Sequence, residues 1–147
     1  MTEPMPQRIG IAIVVHDGAV LVGTRADGAV LAGKQEFPGG KCEPGESPAE
    51  CAIRECLEET GFRVQVDELL MRTVHEYAHG IVELHFFLCR LADSTDHSTA
   101  GAEEGDGSSS TFRWVPVPQL DPSKFPEGNR DALQKLRARF GVSGPIL

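Results

Sequence analysis

The stretch from Phe37 to Phe62 reads FPGGKCEPGESPAECAIRECLEETGF, and it contains the clearest local pattern in this sequence. The Ser47 hydroxyl can accept a hydrogen bond from the backbone N–H of Glu50 while the Glu50 carboxylate reaches back, and a proline suits the first helical position that follows. Gly61 supplies a helix stop. The stretch therefore predicts one helix that begins after Ser47 and ends before Gly61.

One face of the predicted helix is acidic. Glu55, Glu58 and Glu59 have i, i+3 and i+4 spacing, so their side chains should stand within a few ångströms of each other. Carboxylates crowded in this way repel, and oxygen ligands suit Mg²⁺ or alternatively Mn²⁺, completed by waters and substrate phosphates. An apolar arc should pack on a core, and it consists of Ala49, Ala52, Ile53, Cys56 and Leu57.

Residues beside the acidic face extend this pattern. Gly39 and Gly40 permit close backbone approach, so they can offer carbonyl or N–H groups to the same metal or to phosphates. Arg54 can hold the neighbouring Glu55 carboxylate ionised through a charge-assisted hydrogen bond. Three glutamates alone would suit an ordinary solvated helix, but six fixed positions within about two dozen residues favour a metal site.

With these residues in place, the stretch resembles the Nudix hydrolase signature, G-x5-E-x7-R-E-U-x-E-E-x-G-U. The matching residues are Gly40, Glu46, Arg54, Glu55, Glu58, Glu59, Gly61 and Phe62. Cys56 stands where a bulky aliphatic residue is usual, which affects packing only. The resemblance implies Mg²⁺-dependent hydrolysis of a nucleoside diphosphate linked to a further group. It also implies an α/β/α sandwich with a mixed, largely antiparallel central sheet.

Composition predicts one soluble, cytoplasmic domain over residues 1–147. The chain is 40% hydrophobic, Met1 to Gln7 contains no apolar run of signal-peptide length, and no stretch approaches the roughly 18 apolar residues of a membrane span. Its four cysteines show no CxxC pairing, so we expect reduced thiols rather than disulfides or a zinc site. The pattern leaves open whether the protein is a monomer or a homodimer.

The formal net charge of −8 argues against binding a nucleic-acid duplex, which normally requires a basic stripe. A nucleotide polyphosphate would still be repelled by so acidic a chain unless divalent cations and placed basic residues reverse the local field. Arg25, Lys41 and Arg54 are the candidates nearest the signature.

The remaining sequence predicts a strand-rich domain. Predicted strands cover residues 8–15, 19–25, 63–70, 71–77, 81–91 and 111–117, with Asp17-Gly18 as a hairpin turn and Trp114 in the core. Residues 26–35 and 93–110 are loop-like, and the second loop is long enough to be functional or mobile. A last helix begins near Asn129, with Leu133, Leu136 and Phe140 on one face, and residues 142–147 form a loose tail.

Two polar residues outside the signature have open interpretations. Arg25 is either a solvated charge at a strand end or a phosphate ligand. Asn129 is either a helix N-cap or a residue that recognises a base. Spacing alone does not separate these alternatives.

A competing motif is His75-Glu76-Tyr77-Ala78-His79, which matches the H-E-x-x-H pattern of zinc peptidases. That pattern requires a helix, but β-branched and alternating residues flank it, with Gly80 as a turn residue. On a strand, the two histidines would lie about 13 Å apart, too far for one zinc ion. We therefore predict a strand here and no zinc site.

Beyond the signature, the chain resembles the MutT-type members, which are 8-oxo-dGTP pyrophosphohydrolases. The resemblance implies that Arg25 contacts phosphates and that Phe37, within the E-F-P-G-G-K run, lies at the base. It places Tyr77 beside the purine, and Phe125-Pro126-Glu127-Gly128-Asn129 looks like the helix start whose asparagine recognises the oxidised guanine edge.

The same resemblance leaves the substrate open. Glu104, or alternatively Glu103, occupies the place of a loop glutamate that adds a metal ligand. Gly80 stands near where the group carries an arginine at the base, so another purine nucleotide, or a pyrimidine nucleotide such as CTP, is an alternative to 8-oxo-dGTP. Tyr77 lies 15 residues after Phe62, where dinucleoside-polyphosphate hydrolases carry a marker tyrosine. ADP-ribose is a further alternative.

The mechanism that the resemblance implies uses two or three Mg²⁺ ions. Their ligands would be the Gly39 carbonyl, Glu55, Glu58, Glu59 and Glu104. Water attacks an inner phosphorus and releases the nucleoside monophosphate and pyrophosphate, with Glu55 as the general base. Glu46 either shapes the loop or serves as an auxiliary base. A domain that only binds nucleotides should have a broken acidic triad, whereas this triad is complete.

Overall fold

The structure is a computed structural model, and it describes residues 6–25, 33–78, 80–92 and 110–140. In these residues the elements are β1 (Gln7–His16), β2 (Ala19–Arg25), β3 (Gln35–Glu36), β4 (Gly39–Lys41), α1 (Pro48–Thr60), β5 (Val64–Tyr77), β6 (Gly80–Leu91), β7 (Ser110–Pro116) and α2 (Arg130–Arg139). Three short 3₁₀ segments connect β7 to α2, namely Val117–Gln119, Pro122–Lys124 and Glu127–Asn129. The predicted loop 93–110 and tail 142–147 lie almost wholly outside the described residues.

The strands form one mixed sheet in the order β3-β2-β1-β6-β5, with β4 paired to β1 and β7 paired to β2. β1 and β6 run parallel, whereas the other described pairs are antiparallel. The turn between β1 and β2 has φ of 52° at Asp17 and 76° at Gly18. Positive φ at both positions is what a two-residue hairpin turn requires, so the predicted hairpin is confirmed.

The sheet has a helix on each face. Side chains that alternate along a strand point to opposite faces, and here they enter two cores. Ile13 of β1 packs in one core with Leu133 of α2. The adjacent Ala12 packs in the other core with Ala52 of α1. The predicted α/β/α sandwich is therefore confirmed.

Helix α1 begins and ends as predicted. Ser47 Oγ accepts from Glu50 N at 3.1 Å, and the Glu50 carboxylate accepts from Ser47 N at 2.9 Å. Gly61 has φ of 82° and donates its N–H to the Leu57 carbonyl, which ends the helix. The capping box and the glycine stop place the acidic face of α1 at the β4 edge of the sheet.

The buried face of α1 differs from the predicted arc at Leu57, which is 37% exposed. Cys51, Ala52, Cys56 and Thr60 are the buried residues of the helix. The reason is the close approach of α1 to β1 at Gly10, where a Cβ would lie 2.9 Å from Ala52 N. Contact along positions 52, 56 and 60 turns Leu57 away from the sheet.

The H-E-x-x-H stretch does not form a helix. β5 is one continuous strand to Tyr77, where two strand segments were predicted, and it contains His75. Irregular register near residues 66–71 explains the apparent break between the segments. His79 lies outside the described residues. Because the zinc pattern needs both histidines on a helix, the strand at His75 excludes that interpretation.

Two aromatic packing predictions need adjustment. Leu133 and Leu136 of α2 are fully buried, but Phe140 follows the end of the helix and is 42% exposed. Trp114 is only partly buried, and its ring lies 5.8 Å from that of Phe62.

The four cysteines are free thiols. No helix within the described ranges is long and apolar enough to cross a membrane.

Candidate functional site

Arg54 lies at the centre of the acidic face of α1. Its Nε donates to Glu46 Oε2 at 2.7 Å, and its Nη2 donates to Glu46 Oε1 at 3.0 Å. Its Nη1 donates to Glu55 Oε2 at 3.1 Å and to Glu58 Oε1 at 3.2 Å. Nη2 also donates to the Lys41 carbonyl at 3.2 Å. One guanidinium thus joins the loop before α1, the helix and β4.

Glu46 is held by this guanidinium and by its own loop. Its Oε1 also accepts from the backbone N–H of Glu43 at 3.0 Å. Chiefly because of the Arg54 hydrogen bonds, the pKa of Glu46 is lowered to about 2. A carboxylate with so low a pKa is a weak base. The geometry therefore suits the loop-shaping alternative for Glu46 better than the auxiliary base.

The Glu55 carboxyl packs directly on the backbone of Gly40. A Cβ at Gly40 would lie 2.5 Å from Glu55 Cδ, so only glycine leaves room for this carboxyl. Burial raises the pKa of Glu55, and the charge and hydrogen bond of Arg54 oppose that shift without cancelling it. The expected hydrogen bond from Arg54 to Glu55 is present, and burial outweighs its effect on the pKa of Glu55.

Glu59 faces β4 from the last turns of α1. Its Oε1 accepts from the backbone N–H of Gly39 at 3.0 Å. Burial, with repulsion from Glu36 and Glu55, raises the pKa of Glu59 to about 8, although the Gly39 hydrogen bond and the charge of Arg25 oppose the shift. A carboxyl with this pKa is largely neutral at pH 7 unless a cation approaches it.

The expected convergence of three carboxylates on one point is not found. Within residues 6–25, 33–78, 80–92 and 110–140, no group of three or more His, Cys, Asp or Glu side chains is arranged to hold a metal ion. Arg54 draws Glu58 towards itself, whereas Glu59 turns to the Gly39 N–H. The expected ligand Glu104, like the alternative Glu103, lies outside the described residues.

The donor chemistry nevertheless fits a hard divalent cation. Glu55 and Glu59 are half-buried carboxyls whose pKa values are raised chiefly by burial. A Mg²⁺ or Mn²⁺ ion beside them would favour their charged forms, and carboxylate and carbonyl oxygens are the ligands that such ions prefer. The cradle at Gly40, which a Cβ would fill, serves to hold one of these carboxyls in place.

Arg25 is joined to the acidic site through Glu36. Arg25 Nη1 lies 2.6 Å from Glu36 Oε1, and both residues act electrostatically on Glu59. Arg25 is thus not simply a solvated charge at a strand end. Lys41 is exposed on β4, and its own backbone carbonyl accepts from Arg54. No role is predicted for Glu36 from the sequence alone, although its position directly before Phe37 was a signal that could have identified it.

The predicted base-contacting residues meet near the start of α2. The ring of Phe37 is 5% exposed and packs 5.1 Å from that of Phe125, so most of its surface belongs to the core. Tyr77 reaches the segment that precedes α2, where a Cβ at Gly128 would lie 3.3 Å from the Tyr77 hydroxyl. Sequence spacing brings none of these residues together, so this meeting point comes from the fold.

Asn129 precedes α2 without capping it through its side chain. Its Nδ2 instead donates to the Pro126 carbonyl at 3.4 Å. The N-cap alternative therefore lacks the hydrogen bond that defines it. His75, for which the sequence suggested only the rejected zinc motif, has its ring centroid 4.4 Å from that of Tyr77 and lies beside Gly128. Its alternation with Tyr77 on one strand was the signal for this placement.

The sequence of this chain is similar to those of known proteins. The family model of the NUDIX domain matches residues 6–136. An 8-oxo-dGTP diphosphatase of Escherichia coli is 29% identical over 88% of this chain and 95% of its own length. A CTP pyrophosphohydrolase of the same organism is 38% identical over 50% of this chain and 55% of its own. An RNA pyrophosphohydrolase of Roseobacter denitrificans is 28% identical over 76% of this chain and 77% of its own length.

Solved structures share the fold. A NUDIX hydrolase from Nitrosomonas europaea superposes with a TM-score of 0.74 at 18% identity, covering 92% of this chain and 90% of that one. At that level of identity the likeness concerns the arrangement of helices and strands alone.

Proposed function

Because the chain belongs to the NUDIX family and is therefore a hydrolase of pyrophosphate bonds in small nucleotides, we propose that its substrate is a nucleoside triphosphate, 8-oxo-dGTP or a related one. The products would be the nucleoside monophosphate and pyrophosphate. Removal of a damaged nucleotide from the precursor pool would be the role of this reaction in the cell, in support of DNA repair.

The observation that carries the proposal is the network around Arg54. It holds Glu46, Glu55 and Glu58 on one side of α1, next to the glycines of β4. An arginine fork gives fixed geometry as well as charge, so the carboxyl groups are positioned before substrate arrives. Such positioning is what a hydrolytic site needs, because small misplacements of reacting groups cost large factors in rate.

The residues that would hold Mg²⁺, or alternatively Mn²⁺, are Gly39 through its carbonyl, Glu55, Glu58, Glu59 and Glu104. When bound, the ion supplies a lower pKa for water and charge stabilisation for the phosphates. Glu55 would accept the proton of the attacking water, and burial raises its pKa, which makes it a stronger base than an ordinary carboxylate. Arg54 and Glu46 would position Glu55 and the loop.

Binding of the nucleotide would use both sides of the sheet edge. Arg25 and Lys41 would contact phosphate oxygens, because they are the basic residues nearest α1 on β2 and β4. Tyr77 and Asn129 would contact the base, with Phe37 packed below them. The Asn129 amide offers both a donor and an acceptor, which suits a purine edge.

The test is a hydrolysis screen of the purified chain with Mg²⁺ over 8-oxo-dGTP, dGTP, CTP, dinucleoside polyphosphates and ADP-ribose, with products identified. We expect the highest kcat/KM for 8-oxo-dGTP or another nucleoside triphosphate, with pyrophosphate released. Release of only inorganic phosphate would contradict the proposed bond cleavage.

Variants of the acidic face provide the control. Glu55→Gln and Glu59→Gln should each lower kcat by orders of magnitude with the fold intact. Glu43→Gln is the matched control, because Glu43 is exposed and contributes only its backbone to the loop. Near-normal turnover of Glu59→Gln would exclude the proposed site.

A further inference from the structure

Two cysteine thiols meet where the first turn of α1 packs on the sheet. Cys42 directly follows β4, and its backbone N–H donates to the Arg8 carbonyl at 2.9 Å, which continues the pairing of β1 with β4 by one residue. Because side chains alternate along a strand, Cys42 lies on the same face as Gly40, the face on which α1 packs. Cys51 lies in the first turn of α1 and is fully buried. The fold thus directs both thiols into the layer between α1 and the sheet.

Helix α1 approaches the sheet more closely here than most side chains would allow. Gly10 and Gly40 form a cross-strand pair between β1 and β4, and a Cβ on Gly10 would lie 2.9 Å from Cys51 Cβ. Cys51 Sγ donates to the Gly40 carbonyl at 3.2 Å, and its thiol also lies within hydrogen-bonding reach of Cys42. Thiols that are already in contact need little backbone movement to form a disulfide.

The two thiols differ in their access to solvent. All four cysteines of the chain are described, and Cys42 is the one that is partly exposed. It lines a pocket of about 470 Å³ beside the start of β1. Cys56 and Cys89 are buried between α1 and the sheet, at 0% and 2% exposure. A small oxidant that enters the pocket therefore reaches Cys42 first, and the thiol next to it is that of Cys51.

We propose that Cys42 and Cys51 are an oxidisable pair, which hydrogen peroxide converts to a disulfide that lowers the hydrolase activity until a thiol reductant removes it. Hydrogen peroxide is small and uncharged, so the pocket admits it and the acidity of the chain does not repel it. The modification site does not depend on which nucleotide the chain hydrolyses, because both thiols belong to the packing of α1 on β4.

The oxidation takes two steps. The Cys42 sulfur attacks one oxygen of the peroxide, the O–O bond breaks, and Cys42 becomes a sulfenic acid while one molecule of water is released. The Cys51 sulfur then attacks the sulfenic sulfur, and the departing hydroxyl takes the Cys51 proton and leaves as a second water. The two thiols together lose two electrons, which the peroxide gains. Burial, and then the neighbouring Cys42, raise the pKa of Cys51 to about 12, so Cys51 is the second thiol to react and not the first.

The pair is connected to the acidic site through Gly40. The Cys51 thiol donates to the Gly40 carbonyl, and the Gly40 backbone packs on the Glu55 carboxyl. A disulfide has no S–H group, so this hydrogen bond is lost and Cys42 is drawn towards α1. Arg54 Nη2 also lies 4.0 Å from Cys51 Sγ, the sulfur that turns when the bond forms. The disulfide therefore disturbs the residues that position Glu55.

The experiment treats the purified full chain with hydrogen peroxide and follows it by peptide mass spectrometry and by activity. We expect a peptide pair joined through Cys42 and Cys51, with Cys56 and Cys89 still able to react with an alkylating reagent after unfolding. With the nucleotide that the chain hydrolyses fastest, kcat/KM should fall about tenfold, because a displacement of about 1 Å costs about 100-fold and sulfurs in contact move less. Dithiothreitol should restore the activity, whereas it does not reverse the oxidation of methionine.

Two variants separate this pair from other oxidative damage. Cys42→Ser cannot form the bond, so it should match the wild type before treatment and keep its activity in peroxide. Glu43→Gln is the matched control in the same loop, where Glu43 is exposed, and it should remain as sensitive to peroxide as the wild type.

Three results would overturn the proposal. The first is a treated chain without the link between Cys42 and Cys51, and the second is a linked chain whose kcat/KM is unchanged. The third is equal inactivation of Cys42→Ser and the wild type. Absence of turnover with every nucleotide would instead refute the proposed function, while the peptide analysis would still decide whether the thiol pair is oxidised.

Discussion

The backbone of Gly40 lies directly against the carboxyl group of Glu55, and a Cβ on Gly40 would stand 2.6 Å from Oε2 and 2.7 Å from Oε1. β4 and α1 therefore meet at a position where only hydrogen leaves space for the acid. The obstacle to a larger residue is the end of a flexible side chain, not the backbone. Activity and stability should consequently respond differently to substitutions at Gly40 and at Gly10, which α1 also approaches closely.

Gly40→Ala should displace the Glu55 carboxyl and lower kcat/KM about 100-fold, because misplacement of a reacting group by about 1 Å costs this factor. Its melting temperature should stay close to wild type, since Glu55 can rotate away. Gly10→Ala is the comparison, because its Cβ would meet backbone atoms of Pro48 and Ala52. That variant should lose stability first. Kinetics and thermal melts of both variants test this, and equal loss of stability would contradict the assignment.

Arg54→Lys should abolish most activity although the charge is kept. Lysine cannot reproduce the two parallel hydrogen bonds to Glu46 together with those to Glu55 and Glu58. We expect kcat to fall at least tenfold with the helix content unchanged by circular dichroism. Arg139→Lys provides a matched control, because Arg139 forms a similar fork with Glu68 on the exposed surface. A variant Arg54→Lys that is as active as Arg139→Lys would rule out a positioning role.

Mg²⁺ should stabilise the protein through the acidic face. A ligand that binds only the folded state raises the unfolding free energy by about 2.7 kcal/mol at 100 times its Kd. We expect a rise in melting temperature on titration with Mg²⁺ and a much smaller rise in Glu59→Gln. This readout does not require turnover. An equal rise in the variant and the wild type would show that the ion binds elsewhere.

Asn129→Ala should raise KM for the nucleotide and leave the melting temperature nearly unchanged. Loss of a true N-cap side chain costs about 1 kcal/mol, which corresponds to roughly 3 °C for a domain of this size. Because Asn129 makes no capping hydrogen bond, we expect a shift well below that value. A large drop in melting temperature with an unaltered KM would restore the capping interpretation.

Glu83 should make stability depend on pH on the acid side. Hydrogen bonds from Arg72, at 2.9 Å, and then from His85 lower its pKa below the ordinary carboxyl value. Because the folded-state pKa is depressed, this contribution is present above the unfolded-state pKa of about 4.3 and disappears as pH falls through the folded-state value.

Denaturant titrations between pH 2 and pH 7 would measure this effect. Glu83→Gln should be less stable than the wild type near neutral pH, and the difference should shrink as the pH is lowered. Glu76→Gln is a suitable control on the neighbouring strand, where the carboxylate is exposed. A constant difference between Glu83→Gln and wild type across the whole range would contradict the linkage.

Local features of this chain followed from residues that are close in sequence. The capping box at Ser47 and Glu50, the stop at Gly61 and the hairpin turn at Asp17 depend on backbone and side-chain preferences within a few positions. Such preferences act before any tertiary contact forms, so the chain order alone suffices to predict them. The acidic spacing along α1 belongs to the same class.

Partners far apart along the chain could not be predicted in this way. Glu59 accepts from the Gly39 N–H, 20 residues away, and the hydrogen bond from Arg54 to Glu46 is shorter than those from Arg54 to Glu55 and Glu58. The Tyr77 hydroxyl lies close to Gly128, in the segment before α2. Hydrogen-bond competition and burial settle these contacts, and both depend on how closely α1 and α2 pack on the strands. Helical periodicity placed three acids on one face, but packing determined which group each acid binds.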